Sequence, residues 1–380
     1  MSVNPLRRLV ELGQSVWYDY IRRDLYRGSE LRRLIEEDGL RGMTSNPTIF
    51  EKAIAETELY DEDMRRLAAA GANSATIFES LAVEDVRRAA ETFRSVYDTT
   101  GGDDGFVSIE VRPQLARDTE GSVAEARRLW KACDRPNVMV KIPATEEGIP
   151  AIRRCLSEGI NINITLLFSV PRYRQVMEAY LEAMDERVAA GQPVERIRSV
   201  ASFFVSRVDT NADKKLDAIA RDTGRSDRER QRARDLRGKV AIANARIAYQ
   251  AFEEVFRGTR FARLKEKGLR HQRPLWASTS TKDPAYPDLY YVEALVAPDS
   301  VNTMPPETFE AYRDHGDPKV RIHNDLPAAH SVFQGLEELK IDEQRISREL
   351  EAEGAEKFFD SYERVLKAVE KKEELIHAAR

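Results

Sequence analysis

The chain has 380 residues, of which 42% are hydrophobic and 33% are charged, and its formal net charge is −5. This length fits two ordinary domains or one α/β barrel with insertions, and it can bury a large core without disulfides or metals. The negative net charge argues against a general nucleic-acid binder and against a protein held on anionic membranes.

The cysteines and histidines argue against a disulfide framework and a metal centre. Cys133 and Cys155 form no CxxC pair, and the five histidines show no HxxxH spacing. Two separated thiols suit a reducing compartment, and metal sites need closer ligand spacing. The N-terminus contains no apolar signal-peptide core, and no run of 18 apolar residues occurs. We therefore predict a cytoplasmic protein with no metal and no membrane span.

Eight short, nearly continuous apolar runs predict strands that are buried on both faces of a parallel sheet. The runs cover residues 14–20, 42–46, 106–111, 137–143, 162–166, 199–205, 274–278 and 300–304. Amphipathic patterns between them predict helices at 120–133, 146–158 and 170–190. Eight alternating strand–helix units favour an α/β fold of the closed (β/α)8 TIM-barrel type. A doubly wound dinucleotide-binding sheet is the alternative, but no GxGxxG motif follows any strand.

Two segments are longer than a simple strand–helix connection. Residues 47–105 contain at least two helices, including an amphipathic stretch at 76–97. Residues 206–273 contain the charged run 221–235 and then a helix near 237–257. Acids and bases alternate in the charged run, which favours a solvated loop or helix face over a nucleic-acid patch.

The predicted organisation is one barrel domain followed by a helical extension. The barrel, with its two helical insertions, is placed at residues 1–340, and one or two amphipathic helices that pack on it are placed at 341–380. The apolar stripe of this extension is expected at Leu350, Phe358, Phe359, Tyr362, Val365, Leu366 and Val369.

Lys141 lies within the apolar strand NVMVKIP, where burial of a charged ammonium is costly. One interpretation is a lysine on an edge strand, whose amine reaches water. The other is an amine that desolvation keeps neutral, and that can therefore attack a carbonyl carbon. Taken alone, the residue favours the first interpretation.

The strands near Lys141 supply further polar side chains. They are Asp19, Asn46, Glu110, Asn163 and Thr165. In a barrel, such groups from different strands converge at one end. A single one is best explained as a satisfied core group, but burying the whole set would be costly without a function. The set therefore predicts a catalytic site.

These residue types fit the chemistry of a class I aldolase. A neutral amine on Lys141 can attack a ketone, form a carbinolamine and lose water to give an imine. Glu110, with a water and the Thr165 hydroxyl, can move the protons. The protonated imine weakens the adjacent carbon–carbon bond, and Asp19 can take the proton of the hydroxyl that becomes an aldehyde. Asn46 can hold the hydroxyls of the retained fragment.

The later strands supply groups that suit an anion. Ser202 and Arg207 belong to one strand and its following helix, and Ser278 and Lys282 follow the next strand. Loops after strands seven and eight of such barrels often bind phosphate. Arg207, Ser278 and Lys282 therefore predict a sugar-phosphate anchor, although Lys282 is equally well explained as an ordinary exposed lysine.

Seven stretches, in order along the chain, resemble the transaldolase family in its longer form. They are GMTSNPTIFEKAI (42–54), FVSIEVRP (106–113), NVMVKIPATEEGIPAI (137–152), GININITLLFSVPRY (159–173), ASFFVSRVDT (201–210), LWASTSTKDPAY (275–286) and VNTMPPETFEAYRDHG (301–316). The combination of TSNPT, VKIPAT and NITLLFS is the most specific part of the resemblance.

The resemblance implies a (β/α)8 barrel in which Lys141 forms the Schiff base. It implies that Asp19 is the acid/base at the cleaved bond and that Asn46 binds the dihydroxyacetone portion. Glu110 and Thr165 would form the water-mediated proton relay.

The resemblance also implies that Ser202 contacts the ketose fragment and that Arg207 binds phosphate. The shorter form of the family has a second phosphate-binding arginine where this chain has Ser280, and we expect Lys282 to replace it.

The implied reaction moves a dihydroxyacetone unit from sedoheptulose 7-phosphate to glyceraldehyde 3-phosphate. No cofactor is expected, because the protonated imine withdraws the electrons. Sugar phosphates are the expected partners, and the sequence leaves open a monomer or a homodimer. The alternative activity is cleavage of fructose 6-phosphate to free dihydroxyacetone. The resemblance implies a glutamine in place of Glu110 and a tyrosine near the Ser202 strand in relatives with that activity, so Glu110 and Phe204 favour transfer. A non-catalytic sugar-phosphate binder is a further alternative.

Overall fold

The core of the molecule is a closed barrel of eight parallel strands. The structure is a computed structural model, and it describes residues 4–378. The strands are β1 (Gln14–Asp19), β2 (Gly42–Thr44), β3 (Phe106–Glu110), β4 (Val138–Pro143), β5 (Ile162–Leu167), β6 (Ser199–Phe204), β7 (Arg273–Ala277) and β8 (Ser300–Met304). Each strand pairs with the next in chain order, and β8 closes onto β1. The predicted (β/α)8 fold is confirmed.

The strands agree with the predicted ranges to within two residues at each end. Strands β4 and β5 are buried at all six of their positions, because one face of the sheet meets the barrel interior and the other meets helices. Strand β2 ends early, at Thr44. Asn46 instead caps the following helix, where its side chain accepts a hydrogen bond from the Ile49 backbone N–H at 3.2 Å.

Eighteen α-helices accompany the barrel within residues 4–378. They are α1 (Pro5–Glu11), α2 (Arg23–Arg27), α3 (Glu30–Glu37), α4 (Pro47–Glu56), α5 (Asp61–Ala69), α6 (Ser74–Thr92), α7 (Arg94–Thr99), α8 (Thr119–Cys133), α9 (Gly148–Ser157), α10 (Val170–Ala189), α11 (Ser206–Arg221), α12 (Asp227–Leu236), α13 (Val240–Phe256), α14 (Thr259–Lys265), α15 (Tyr290–Ala294), α16 (Pro306–His315), α17 (Leu326–Glu338) and α18 (Glu343–Ala378). The stretch predicted as one helix at 76–97 is divided at Phe93 between α6 and α7. None of the described helices is long and apolar enough to cross a membrane.

The charged run 221–235 ends α11 and forms most of α12. Helix α12 begins with a capping box, in which the Ser226 side chain and the Glu229 side chain each satisfy a backbone N–H of the other residue. Its apolar Ala233 and Leu236 are buried, whereas most of its charged residues are exposed. This arrangement is a solvated helix face, as the alternation of charges predicts.

Side chains fill the amino-terminal part of the barrel interior. Trp17 lies there against Phe106, and Gly42 makes room for it, because a Cβ at that glycine would lie 2.5 Å from the indole. Nearby, Asp104 accepts hydrogen bonds from Ser15 and, at 2.9 Å, from Arg273. An open site is therefore expected at the opposite end, where the strands have their carboxyl termini.

The segment after residue 341 folds as one long helix, α18, which packs on α4, α5, α6 and α11. Four residues of the predicted stripe are buried, namely Leu350, Tyr362, Val365 and Val369, and Phe358 and Leu366 are half-buried. The prediction for Phe359 is wrong, because this side chain is 42% exposed. The domain boundary at residue 340 stays a prediction.

Candidate active site

A cavity of about 530 Å³ opens at the carboxyl ends of the strands. Nine of the residues predicted from the sequence line it: Asp19, Asn46, Glu110, Lys141, Thr165, Ser202, Arg207, Ser278 and Lys282. These residues lie in the carboxyl-terminal half of a strand, in the loop or cap that follows it, or in the first turn of α11. The register of the barrel therefore brings together side chains that are far apart in sequence.

Lys141 and Glu110 form an ion pair on neighbouring strands. They are register partners between β3 and β4, and 2.8 Å separates Lys141 Nζ from Glu110 Oε1. The two side chains are only 10% and 11% exposed. Burial raises the pKa of Glu110; the adjacent Lys141 ammonium opposes this shift, and Asp19 adds to it. Glu110 is thus a carboxylate that takes up a proton more readily than an ordinary glutamate.

The second carboxylate oxygen of Glu110 is available for chemistry. This atom, Oε2, is buried and accepts no hydrogen bond from any described residue. Thr165 lines the same cavity from β5, the strand next to the one that contains Lys141. Its register partner on β4 is Pro143, two residues after Lys141. The two residues that the sequence assigns to proton transfer therefore face one space.

Asp19 is oriented by two hydroxyl groups that sequence reasoning missed. Thr44 Oγ1 donates to Asp19 Oδ1 at 2.6 Å, and Thr303 Oγ1 lies 2.7 Å from Thr44 Oγ1. Asp19 and Thr44 are register partners at the ends of β1 and β2. A threonine at the carboxyl end of a predicted barrel strand was the available signal for both residues.

The amides of the site differ in their freedom to bind a ligand. The carbonyl oxygen of Asn46 caps α4, which leaves its NH₂ group at the cavity wall. Asn163 accepts a hydrogen bond from Ser202 at 2.7 Å and donates one to Ser108 at 3.0 Å. Asn163 is fully buried and does not line the cavity, so we interpret it as a support for Ser202.

Arg207 is a cation of the site that pairs with no carboxylate within residues 4–378. Its guanidinium lies 5.1 Å from the centre of the Phe204 ring and makes no hydrogen bond with any described residue. Burial lowers its pKa, while Asp19 and Glu353 act in the opposite direction. An arginine held against an aromatic ring with free donors is suited to an incoming anion.

The residues after β7 lie beside Arg207. Ser206 Oγ and Ser278 Oγ are 3.0 Å apart, and the Ser206 backbone N–H donates to the Ser278 carbonyl at 3.0 Å. Ser278 has a φ of +56°, a strained conformation for a residue other than glycine. The amine of Lys282 donates to Ser280 Oγ at 2.7 Å. Together these residues form a polar edge of the cavity.

Helix α18 supplies a wall of the cavity that sequence reasoning missed. The wall consists of Gly354, Lys357, Phe358 and Ser361. Their spacing of three, four and seven residues places them on one helix face. In the sequence, the only indication of this cavity wall was the recurrence of small and polar residues beside the apolar stripe. Within the described residues, no group of three or more His, Cys, Asp or Glu side chains could hold a metal ion.

A buried lysine amine in contact with a carboxylate, at the carboxyl ends of barrel strands, is suited to carbonyl chemistry through an imine. The model of the transaldolase/fructose-6-phosphate aldolase family matches residues 16–369. The chain belongs to this family, which confirms the resemblance predicted from the motifs.

Relatives from several bacteria share nearly the whole length of the chain. A transaldolase of Saccharopolyspora erythraea is 48% identical, over 97% of this chain and 98% of the relative. A transaldolase of Thermobifida fusca is also 48% identical, over 96% of this chain and 97% of the relative. A transaldolase of Trichodesmium erythraeum is 42% identical, over 98% of each.

Proposed function

We propose that this chain catalyses the transaldolase reaction, transferring a dihydroxyacetone unit from sedoheptulose 7-phosphate to glyceraldehyde 3-phosphate. The products are erythrose 4-phosphate and fructose 6-phosphate, within the non-oxidative pentose phosphate pathway. The observation that carries the proposal is the buried contact between Lys141 and Glu110, 2.8 Å apart, in a cavity open at the strand ends. Family membership supports the same reaction.

Lys141 is the nucleophile of the proposed mechanism. The Lys141 ammonium passes one proton to Glu110, and the resulting neutral amine attacks the ketose carbonyl carbon, so that a C–N bond forms as the carbonyl π bond breaks. A second amine proton moves to the carbonyl oxygen, which gives the carbinolamine. Glu110 then returns its proton to the carbinolamine hydroxyl, which leaves as water and gives the protonated imine, a role that its raised pKa suits. Thr165 completes the relay through a water molecule that it shares with Glu110.

Asp19 is the base for carbon–carbon cleavage. The protonated imine draws the bonding pair into an enamine, and the proton of the neighbouring hydroxyl passes to Asp19 as the aldehyde leaves. The hydrogen bond from Thr44 keeps one Asp19 oxygen fixed, so the other can meet the substrate. When the acceptor aldehyde binds, Asp19 returns the proton to the new hydroxyl as the new bond forms.

The charge of the cavity supports a phosphorylated substrate. Five cationic and three acidic side chains line it, although the chain as a whole has a net charge of −5. Arg207, Ser278 and Lys282 offer donors to the phosphate. The amide of Asn46 offers a donor to the sugar hydroxyls, and the Ser202 hydroxyl oxygen offers them an acceptor. A cationic cavity in an acidic protein concentrates anionic substrates at its mouth.

Transfer is favoured over simple cleavage of fructose 6-phosphate. The family includes both activities by its description, but the full-length relatives at 42–48% identity are transaldolases. Glu110 and Phe204 point the same way. The expected outcome is turnover of fructose 6-phosphate only when an acceptor aldehyde is present. We place the enzyme in the cytoplasm, a proposal supported by two free, buried cysteines.

Borohydride trapping tests the proposed function directly. Incubation with fructose 6-phosphate and borohydride is expected to attach a three-carbon unit to Lys141, located by peptide mass spectrometry. Lys141→Ala should abolish the adduct, because the imine then has no amine to form on. Lys52→Ala is the matched control, since it removes another amine of the same cavity.

Two results would contradict the proposal. One is an unmodified wild-type protein, which would indicate a sugar-phosphate binder without catalysis. The other is an adduct that persists in Lys141→Ala or disappears in Lys52→Ala, which would place the nucleophile elsewhere.

A further inference from the structure

Helix α18 crosses the mouth of the cavity and is held on both sides of it. On one side, Glu349 pairs with Lys215 of α11 at 2.6 Å. On the other side, Ser361 accepts a hydrogen bond from Thr48 of α4 at 2.9 Å. Lys357 lies between these two anchors, on the face that lines the cavity.

Gly354 allows α18 to approach the strand ends closely. A Cβ at this position would lie 2.9 Å from Cδ2 of Leu166. Leu166 follows Thr165 at an irregularity in β5 and has a φ of +58°. The close approach of the helix at this point sets the height of Lys357, one turn further along, above the catalytic residues.

Lys357 and Arg207 line the same cavity from two different helices. Lys357 Nζ lies 3.2 Å from Glu353 Oε2, and the Glu353 carboxylate partly opposes the burial that lowers the pKa of Arg207. The Lys357 side chain is 64% exposed, so its amine can turn from Glu353 towards a ligand at small cost. The two cations therefore flank one region of the cavity mouth from different elements.

A phosphate monoester is bound more tightly when a further cation joins Arg207 and Lys282 around it. Such a group has a charge of about −1.5 to −2 at neutral pH, and charged donors on two sides bind it best. We propose that Lys357 is a further phosphate-binding residue of this active site and, together with Arg207 and Lys282, strengthens the preference for phosphorylated substrates. This inference rests on the proposed transaldolase function.

The test compares Lys357→Gln and Lys357→Glu with wild type in the full chain. We expect Lys357→Gln to raise the KM for fructose 6-phosphate about tenfold, with kcat nearly unchanged, and Lys357→Glu to raise it further. With fructose as an unphosphorylated donor, the KM should not change. Lys367→Gln is the control, because Lys367 is exposed on the same helix but does not line the cavity.

An unchanged KM for fructose 6-phosphate in both Lys357 variants would overturn the inference. Equal increases for the phosphorylated and the unphosphorylated donor would overturn it too, since they would indicate a general effect of α18. Failure of the proposed function looks different, because the wild-type protein would then trap no adduct at Lys141. Since Lys357 is a surface residue, the variants are expected to unfold at the wild-type temperature, which thermal denaturation checks.

Discussion

Lys141 shows how a closed barrel changes the meaning of a lysine in an apolar strand. The interpretation of an edge-strand lysine reaching water fails here, because β4 is paired on both sides and the barrel has no edge. The side chain instead leaves the strand towards the cavity and meets Glu110. A buried ion pair is weak evidence for stability, since desolvation offsets the attraction. Its placement at the strand ends is better explained by catalysis.

Glu110→Gln tests the proton relay at the scale of one residue. The amide cannot accept the proton of the amine, so formation of the imine should slow by roughly 10²–10⁴-fold. The rate of adduct formation in a borohydride quench-flow experiment measures this step. Glu307→Gln is the control, because Glu307 is another acid of the same cavity. An unchanged rate in Glu110→Gln would remove this residue from the relay.

At the scale of elements, the strands were predictable and the contacts between distant elements were not. A parallel strand that is buried on both faces is an uninterrupted apolar run in the sequence. Its position can therefore be predicted from its own residues, without knowledge of the elements that pack on it. Asp19, Glu110 and Lys141 could be found because each interrupts such a run. Their assembly in one cavity followed from the barrel topology alone.

The amphipathic pattern of α18 shows that one face is buried, but not which surface buries it. Gly354 meets Leu166, a residue far away in sequence, and only the docked helix shows that Lys357 lines the cavity. The exposure of Phe359 also could not be predicted from the pattern, because the orientation in which α18 packs on the barrel decides which of its apolar residues are covered. The hydroxyls of Thr44 and Thr303 were missed because their partners lie on other strands.

The junction between α12 and α13 fixes the segment that follows β7. Arg237 forms ion pairs with Asp283 and Asp217, and 3.1 Å separates Arg237 from Asp217. It also donates a hydrogen bond to the Tyr286 hydroxyl at 2.8 Å. Tyr286 in turn donates to Asp213 of α11 at 2.8 Å. The second insertion therefore holds the residues next to Lys282 against α11, whose first turn contains Arg207.

Arg237→Gln is expected to loosen this junction. The KM for fructose 6-phosphate should rise several-fold, while turnover of an unphosphorylated donor stays near wild type, because only the phosphate end of the cavity moves. The free energy of unfolding should fall by only about 1 kcal/mol, since the pairs are partly exposed. Steady-state kinetics and urea denaturation measure the two effects.

Arg234→Gln is the matched control on α12, because Arg234 is exposed and does not contact the segment after β7. Tyr286→Phe removes a single hydroxyl and should reproduce the kinetic effect in weaker form. A loss of stability in Arg237→Gln without any change in KM would show that the junction serves the fold alone.

At the scale of the whole molecule, one buried acid links stability to pH. Burial, helped by the nearby Asp213, raises the pKa of Asp209 from 3.8 to about 7. Asp209 accepts hydrogen bonds from the Ala241 backbone N–H and the Tyr291 hydroxyl. Between pH 4 and pH 7 the folded protein holds a proton that the unfolded chain has released, so stability falls as the pH rises through this window.

Asp209→Asn removes this titration. The variant should gain free energy of unfolding relative to wild type as the pH rises from 5 to 8, by at most about 1.4 kcal/mol per pH unit. Urea denaturation at intervals of one pH unit measures the difference, in which the titrating groups that do not interact with Asp209 cancel. Asp235→Asn, at an exposed position of α12, is the control. A constant difference between Asp209→Asn and wild type across this range would refute the assignment.

The position of α18 in the chain has a consequence for biosynthesis. A ribosome makes the protein from its N-terminus, so all eight strands leave it before the helix that spans the cavity has been translated. A nascent barrel would therefore already contain the reactive lysine while its mouth is still uncovered. The phosphate contact proposed for Lys357 would be added to the site only once translation has passed the codons of α18.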